Sequence, residues 1–301
     1  MAATTDPAAP RRRGIGSRIV SGLGGWAGIM PFAAYMIVFL GIPLYVVIHG
    51  SLTTESNQFT FSNFKMTWSY PAFRLAFENS LILSLWTSVV GAVFGTWLAV
   101  AVVTTKPGGF LHRVTQSGSG VLAYFAGVPL AFAFIAALGQ VGVVTVLLKH
   151  LGINLYADGF TISSMVGVGL CYVYFQIPLM VILITPALQG LRSEWQDAAL
   201  NLGASKLGYL RHVAVPVVLP SFVGATLILF GNAFSAYATA LALVGSTLSI
   251  VPAQIDDALN GNVLVGADRL GLTLGTEMII VILIVMVGYW LVQRRARKWL
   301  R

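Results

Sequence analysis

The sequence predicts an all-α polytopic membrane protein with six transmembrane helices and both termini on the cytoplasmic side. Three observations predict it. Of 301 residues, 57% are hydrophobic and 9% charged, with mean hydropathy +0.83, whereas a soluble domain carries about 25% charged residues. Six apolar stretches are long enough to cross a hydrocarbon core of about 30 Å, which takes roughly 20 residues of helix. The basic residues fall mainly on one side of those stretches. This composition excludes an ordinary water-soluble enzyme. The net charge of +8 and pI near 9.8 read as positive-inside bias rather than as a nucleic-acid interface. The single cysteine, Cys171, forms no intrachain disulfide and says nothing about redox compartment.

In chain order the expected spans are 27–48, 81–105, 121–148, 160–191, a long run at 213–255 and 272–292; the first five carry no Asp, Glu, Lys or Arg. The sixth contains Glu277 near its start. Residues 1–26 form a basic N-terminal segment, 27–293 the six-helix domain and 294–301 a basic tail. The first stretch exceeds the usual apolar core of a signal peptide and lacks a small-residue cleavage site, so it reads as a retained span. Residues 1–10 are disordered by composition, and the arginines of the N-terminal segment suit association with the inner leaflet.

With the N-terminus inside, the cytoplasmic segments hold Arg11, Arg12, Arg13, Arg18, Lys106, Arg113, Arg192, Lys206, Arg211, Arg294, Arg295, Arg297, Lys298 and Arg301. The outer segments hold Lys65, Arg74, Lys149 and Arg269. That asymmetry sets the orientation. The outer loop at 49–78 carries Phe59, Phe61, Phe64, Trp68, Tyr70 and Phe73, aromatics that suit a packed interfacial segment more than a ligand cage.

The loop at 189–220 is more specific. Trp195, Ala198, Ala199 and Leu202 fall at i, i+3, i+4 and i+7, one face of a helix, while Glu194, Asp197 and Asn201 occupy another. Asp197 lies near the helix start, where its charge favours the dipole. Gly203 interrupts the run as a C-terminal cap residue. Ser205 caps a second short helix, which Pro216 limits. The result is either a knob for a cytoplasmic partner or a helical loop on the membrane surface.

Asp197-Ala198-Ala199, three residues, Gly203, nine residues and Val213-x-Val215-Pro216 resemble the EAA signature of permease subunits of ABC importers. Asp stands for Glu at 197, Val for Ile at 213 and Val for Leu at 215. The resemblance implies the type I importer permease fold and a bacterial cytoplasmic (inner) membrane location. It also implies that Trp195, Asp197, Ala198, Ala199, Leu202 and Gly203 form a coupling helix docking on ATPase subunits. Further implied partners are a second permease subunit, identical or homologous, and an extracytoplasmic solute-binding protein. ATP and Mg belong to the partner ATPase. Independently, none of the five lysines follows a glycine, so the chain lacks the Gly-Lys-Ser/Thr of a Walker A loop.

Within the spans, ionisable residues are nearly absent, which argues against proton coupling and against an intramembrane hydrolase. Glu277 lies about 8 Å below Leu272 at ~1.5 Å per residue, and either touches the substrate path or snorkels to the interface. Asn232, Ser235 and Thr239 fall at i, i+3 and i+7; Tyr172 and Gln176 at i and i+4. Each set serves either as helix–helix glue or as polar lining of a substrate path. The stretch around Asn232 also resembles the fifth span of the spermidine/putrescine branch, which implies a polyamine-type solute. The expected function is a non-catalytic, ATP-driven importer permease; the alternative is a stand-alone carrier or channel.

Overall fold

The computed structural model describes residues 29–105, 109–157, 159–245, 247–260 and 268–299. The basic segment 1–26, Lys106 and residues 300–301 of the tail lie outside the described residues. In chain order the helices are α1 (Ile29–Ser51, with a π-turn at Ile37–Gly41), α2 (Ser62–Ser69), α3 (Pro71–Val103) and α4 (Phe110–Tyr124). There follow α5 (Val128–Leu138), α6 (Val143–His150), α7 (Met165–Gln189), α8 (Ser193–Asn201) and α9 (Lys206–Tyr209). The last are α10 (Val215–Phe234, after a π-turn at Leu210–Ala214), α11 (Ala238–Val244), α12 (Val251–Leu259) and α13 (Asp268–Trp299).

Six helical stretches are long and apolar enough to span: Ile29–Ser51, Pro71–Val103, Val128–His150, Met165–Gln189, Lys206–Phe234 and Arg269–Arg295. Among the described residues there is no strand beyond an isolated bridge between Thr53 and Phe59. Helix is the secondary structure that satisfies backbone groups within a single segment in lipid. The protein is a multi-pass, all-α membrane protein.

The chain divides into two units, Met1–Gly50 and Ser51–Arg301. In the first, α1 is an uncharged apolar helix. The second is organised around the pairing of α3 with α7. Gly91 and Gly95 stand one turn apart on α3. A Cβ at Gly91 would lie 2.7 Å from the Gln176 Cβ, and one at Gly95 2.5 Å from the Met180 Cβ and 2.7 Å from the Ile177 carbonyl oxygen. Small residues at this spacing let two backbones approach, and in lipid such packing, with interhelical hydrogen bonds, replaces the hydrophobic drive. Gln176 supplies one such bond, its Nε2 donating to Thr87 Oγ1 at 2.8 Å. Ala92, Ala99, Met180, Val181, Ile184, Val218 and Leu229 extend the seam to α10. A further cluster joins Phe73, Ala76 and Phe77 of α3 to Phe234, Val251, Leu270 and Leu274.

Several boundaries differ from the sequence expectation. The second span begins at Pro71, ten residues early, because proline suits a first helical turn; Phe73 is therefore core, not interface, while Phe59, Phe61 and Trp68 stay exposed. The fourth begins at Met165, where Ser164 Oγ accepts from the Gly167 amide at 3.2 Å. The run at 213–255 is not one helix but α10, α11 and α12. Glu277 does not snorkel: it is 7% exposed and accepts a 2.8 Å hydrogen bond from Thr67 Oγ1 of α2. One of its two carboxylate oxygens is thereby satisfied inside the protein.

Candidate functional site: the 193–205 knob and a mid-span cavity

Helix α8 ends in a Schellman arrangement. The Gly203 amide donates to the Leu200 carbonyl and the Ala204 amide to the Ala199 carbonyl, both at 3.0 Å, pairing carbonyls that the helix end would orphan. This closure needs a left-handed residue, and Gly203 has φ +84°. A Cβ there would meet nothing within 4 Å, so glycine is required by backbone angle and not by space. Ser205 Oγ then accepts from the Gly208 amide at 3.1 Å and starts α9. One short helix is thus tied by a glycine turn to the capped start of the fifth spanning stretch, and the two form the knob.

The knob divides the expected apolar face. Trp195 and Ala199 are half-buried, while Ala198 is exposed and Leu202 is 89% exposed. Leu202 leaves the stripe because it is the cap residue beyond the last helical turn. Leu207 on α9, which the sequence reading missed, is 73% exposed; a lone leucine in a polar loop gives no periodic signal. Asp197 is exposed and lies in the second turn. The first-turn acid is Glu194, so the favourable dipole role belongs to Glu194, since that effect fades within a turn.

The polar residues of the fifth span line a cavity of about 360 Å³ with Tyr124, Phe175 and Tyr237. Asn232, Ser235 and Thr239 do not share one helix face, because the helix stops at Phe234 and resumes at Ala238. Tyr172 Oη donates to the Ala236 carbonyl at 2.8 Å, and Thr239 Oγ1 accepts from the Gly127 amide at 2.8 Å. Such bonds re-satisfy backbone groups freed by a break inside the membrane. The three residues nevertheless border the same space. The Asn232 side chain is exposed there, and the Ser235 hydroxyl bonds back to the Gly231 carbonyl at 2.9 Å.

Tyr172 and Gln176 are fully buried behind the cavity wall, in the bonds to Ala236 and Thr87. Tyr237 lies between the helical spans. Its phenol is hydrogen-bonded to Asp256. Tyr124, Phe175, Tyr237 and Asp256 are site residues that sequence reasoning missed. Among the described residues no group of His, Cys, Asp and Glu is arranged to hold a metal ion.

Residues 91–300 match the family described as binding-protein-dependent transport system inner membrane component. A probable sulfate transport system permease protein cysT of Nephroselmis olivacea is 26% identical over 94% of this chain and 93% of its own. The spermidine/putrescine transport system permease protein PotC of Haemophilus influenzae is 24% identical over 74% of this chain and 82% of its own. A chain of a bacterial ABC transporter involved in the import of the acidic polysaccharide alginate superposes with TM-score 0.72 at 17% identity, covering 94% of this chain and 98% of that one. At that identity the likeness is one of fold.

Proposed function

We propose, from the premise that the chain belongs to the family of binding-protein-dependent transport system inner membrane components and is an ABC importer permease subunit, that the 193–205 knob docks a separate ATPase and that the mid-span cavity passes a small organic cation of polyamine type. The observation that carries the coupling role is the exposure of Leu202 and Leu207 on a knob closed by Gly203 and Ser205. Two uncovered leucines on so short a segment suit an apolar groove on a soluble partner. A knob held by its own hydrogen bonds transmits motion without yielding.

In this reading both termini and the 189–220 loop face the cytoplasm of a bacterial inner membrane. ATP and Mg are bound by the ATPase subunits. A solute-binding protein delivers the solute on the other side, and a second permease, identical or homologous, completes the path.

The cavity's chemistry supports a cation. No Lys, Arg or His lines it, whereas the rings of Tyr124, Phe175 and Tyr237 do, with Asp256 beside Tyr237. An ammonium over such a ring gains about 0.5–2 kcal/mol. A sulfate dianion, the solute named for one relative, needs charged or convergent amide donors. The test is reconstitution with the ATPase and binding protein, measuring ATP-dependent uptake of radiolabelled spermidine and of sulfate. Spermidine uptake that falls in Asn232→Leu with the ATPase still bound is the expected outcome. Sulfate uptake without spermidine uptake overturns the solute. Flux through this chain alone, with no ATPase retained on pull-down, overturns the coupling role.

A further inference from the structure

A second cavity, of about 570 Å³, lies beside the knob and falls within the ~300–1,000 Å³ typical of ligand sites. Its body is aliphatic, formed where α3 and α7 end and α10 begins, with Val100, Leu191, Val218 and Leu219 among its walls. Leu219 is 50% exposed, so the groove is open along this aliphatic wall. Its mouth is built differently. Arg192, Ser193 and Gln196 come from the start of α8, and Tyr209 from α9. All four offer N–H or O–H donors.

Arg192 is the one charged residue of this lining, and no acid shares it. Its guanidinium is exposed and forms no ion pair among the described residues. It also immediately precedes the first turn of α8, whose dipole favours negative charge and already carries Glu194. Glu194 and Asp197 are exposed and outside the lining. A long aliphatic slot with a cationic, donor-rich mouth has the polarity of an amphiphile with an anionic head.

We propose that this groove seats one anionic phospholipid of the leaflet on the knob's side. The acyl chain lies along α3, α7 and α10, and the phosphate sits on Arg192 with the hydroxyls and amide around it. Basic pockets between spans on the cytoplasmic side are suited to such headgroups. Because Arg192, Ser193 and Gln196 belong to the start of α8, an occupied groove braces the knob. That consequence for coupling rests on the reading of the knob as an ATPase dock; the lipid seat does not.

The full chain is reconstituted in vesicles carrying a trace of phosphatidylglycerol or phosphatidylcholine, each with a diazirine on its acyl chain, then illuminated and peptide-mapped. Phosphatidylglycerol is expected to label peptides containing Val100, Leu191 and Leu219 about fivefold more than phosphatidylcholine, the effect of one basic residue near the membrane surface. Arg192→Gln, at an exposed position, removes that preference, and Leu219→Trp reduces labelling by both lipids. Equal labelling in the unmodified chain overturns the proposal, as does a preference that survives Arg192→Gln. So does an unlabelled groove, the result if a second permease copy covers it. ATPase pull-down from the same vesicles separates the two readings. Labelling without ATPase retention removes the coupling role alone, and retention without labelling removes the lipid seat alone.

Discussion

The α3–α7 seam and the 193–205 knob both depend on glycine, for opposite reasons. Gly91 and Gly95 have no room for a side chain, since Cβ atoms there would fall 2.7 and 2.5 Å from the Cβ atoms of Gln176 and Met180. Gly203 has all the room it needs, with nothing within 4 Å, but stands at φ +84°. At the seam the glycine is part of the packing that holds spans together. At the knob it is part of a turn that closes α8 just before the fifth spanning stretch begins at Lys206. One residue type thus serves close packing in one place and backbone angle in the other.

That contrast can be broken by substitution. The largest effect is expected from Gly95→Val. Its added atoms meet a backbone carbonyl as well as Met180, and overpacking of this kind costs about 1–3 kcal/mol or more. Thermal unfolding of the purified chain in detergent should show a lower midpoint and a reduced folded yield. An unchanged midpoint would mean that α3 and α7 can part freely.

Gly203→Val comes next, at about 1–2 kcal/mol of backbone strain confined to the knob. Unfolding and membrane insertion should stay normal, while uptake and substrate-stimulated ATP hydrolysis are lost. Gly203→Asn sharpens the point, because asparagine tolerates a left-handed cap. It should retain uptake, whereas Gly95→Asn should fold poorly. If both asparagine variants behave alike, the two glycines do not differ as described.

Removal of the Gln176–Thr87 bond is a smaller perturbation. A double-mutant cycle with Gln176→Met and Thr87→Val should give a coupling near 0.6 kcal/mol, the average for bonds between membrane helices. A value near zero would assign the seam to packing alone. The smallest effect is expected for Asp197→Ala, an exposed second-turn charge. It should weaken ATPase retention by the ~0.2–1 kcal/mol of an exposed ion pair without abolishing uptake, as read by pull-down titration.

Much of this was legible along the chain. Span number and approximate position follow from apolar length, since an uncharged stretch of some 20 residues has few other stable states. The turn at Gly203 and the cap at Ser205 are also local properties, set by backbone angle and by a hydroxyl within three residues of its donor. The break at Ser235–Tyr237 is different. No proline or glycine lies between Phe234 and Ala238, so local propensity continues the helix. What accompanies its interruption is a hydrogen bond from Tyr172, 64 residues away in sequence. Glu277 likewise finds Thr67 across 210 residues, while Tyr172 bonds to Ala236 in the break and Gln176 to Thr87 of α3, and neither lines the cavity. Sequence periodicity reports which side chains share a face of one ideal helix. It carries no record of which distant partner will satisfy a polar group taken out of water, and in lipid that pairing decides where a helix breaks and which of its polar residues meet the cavity.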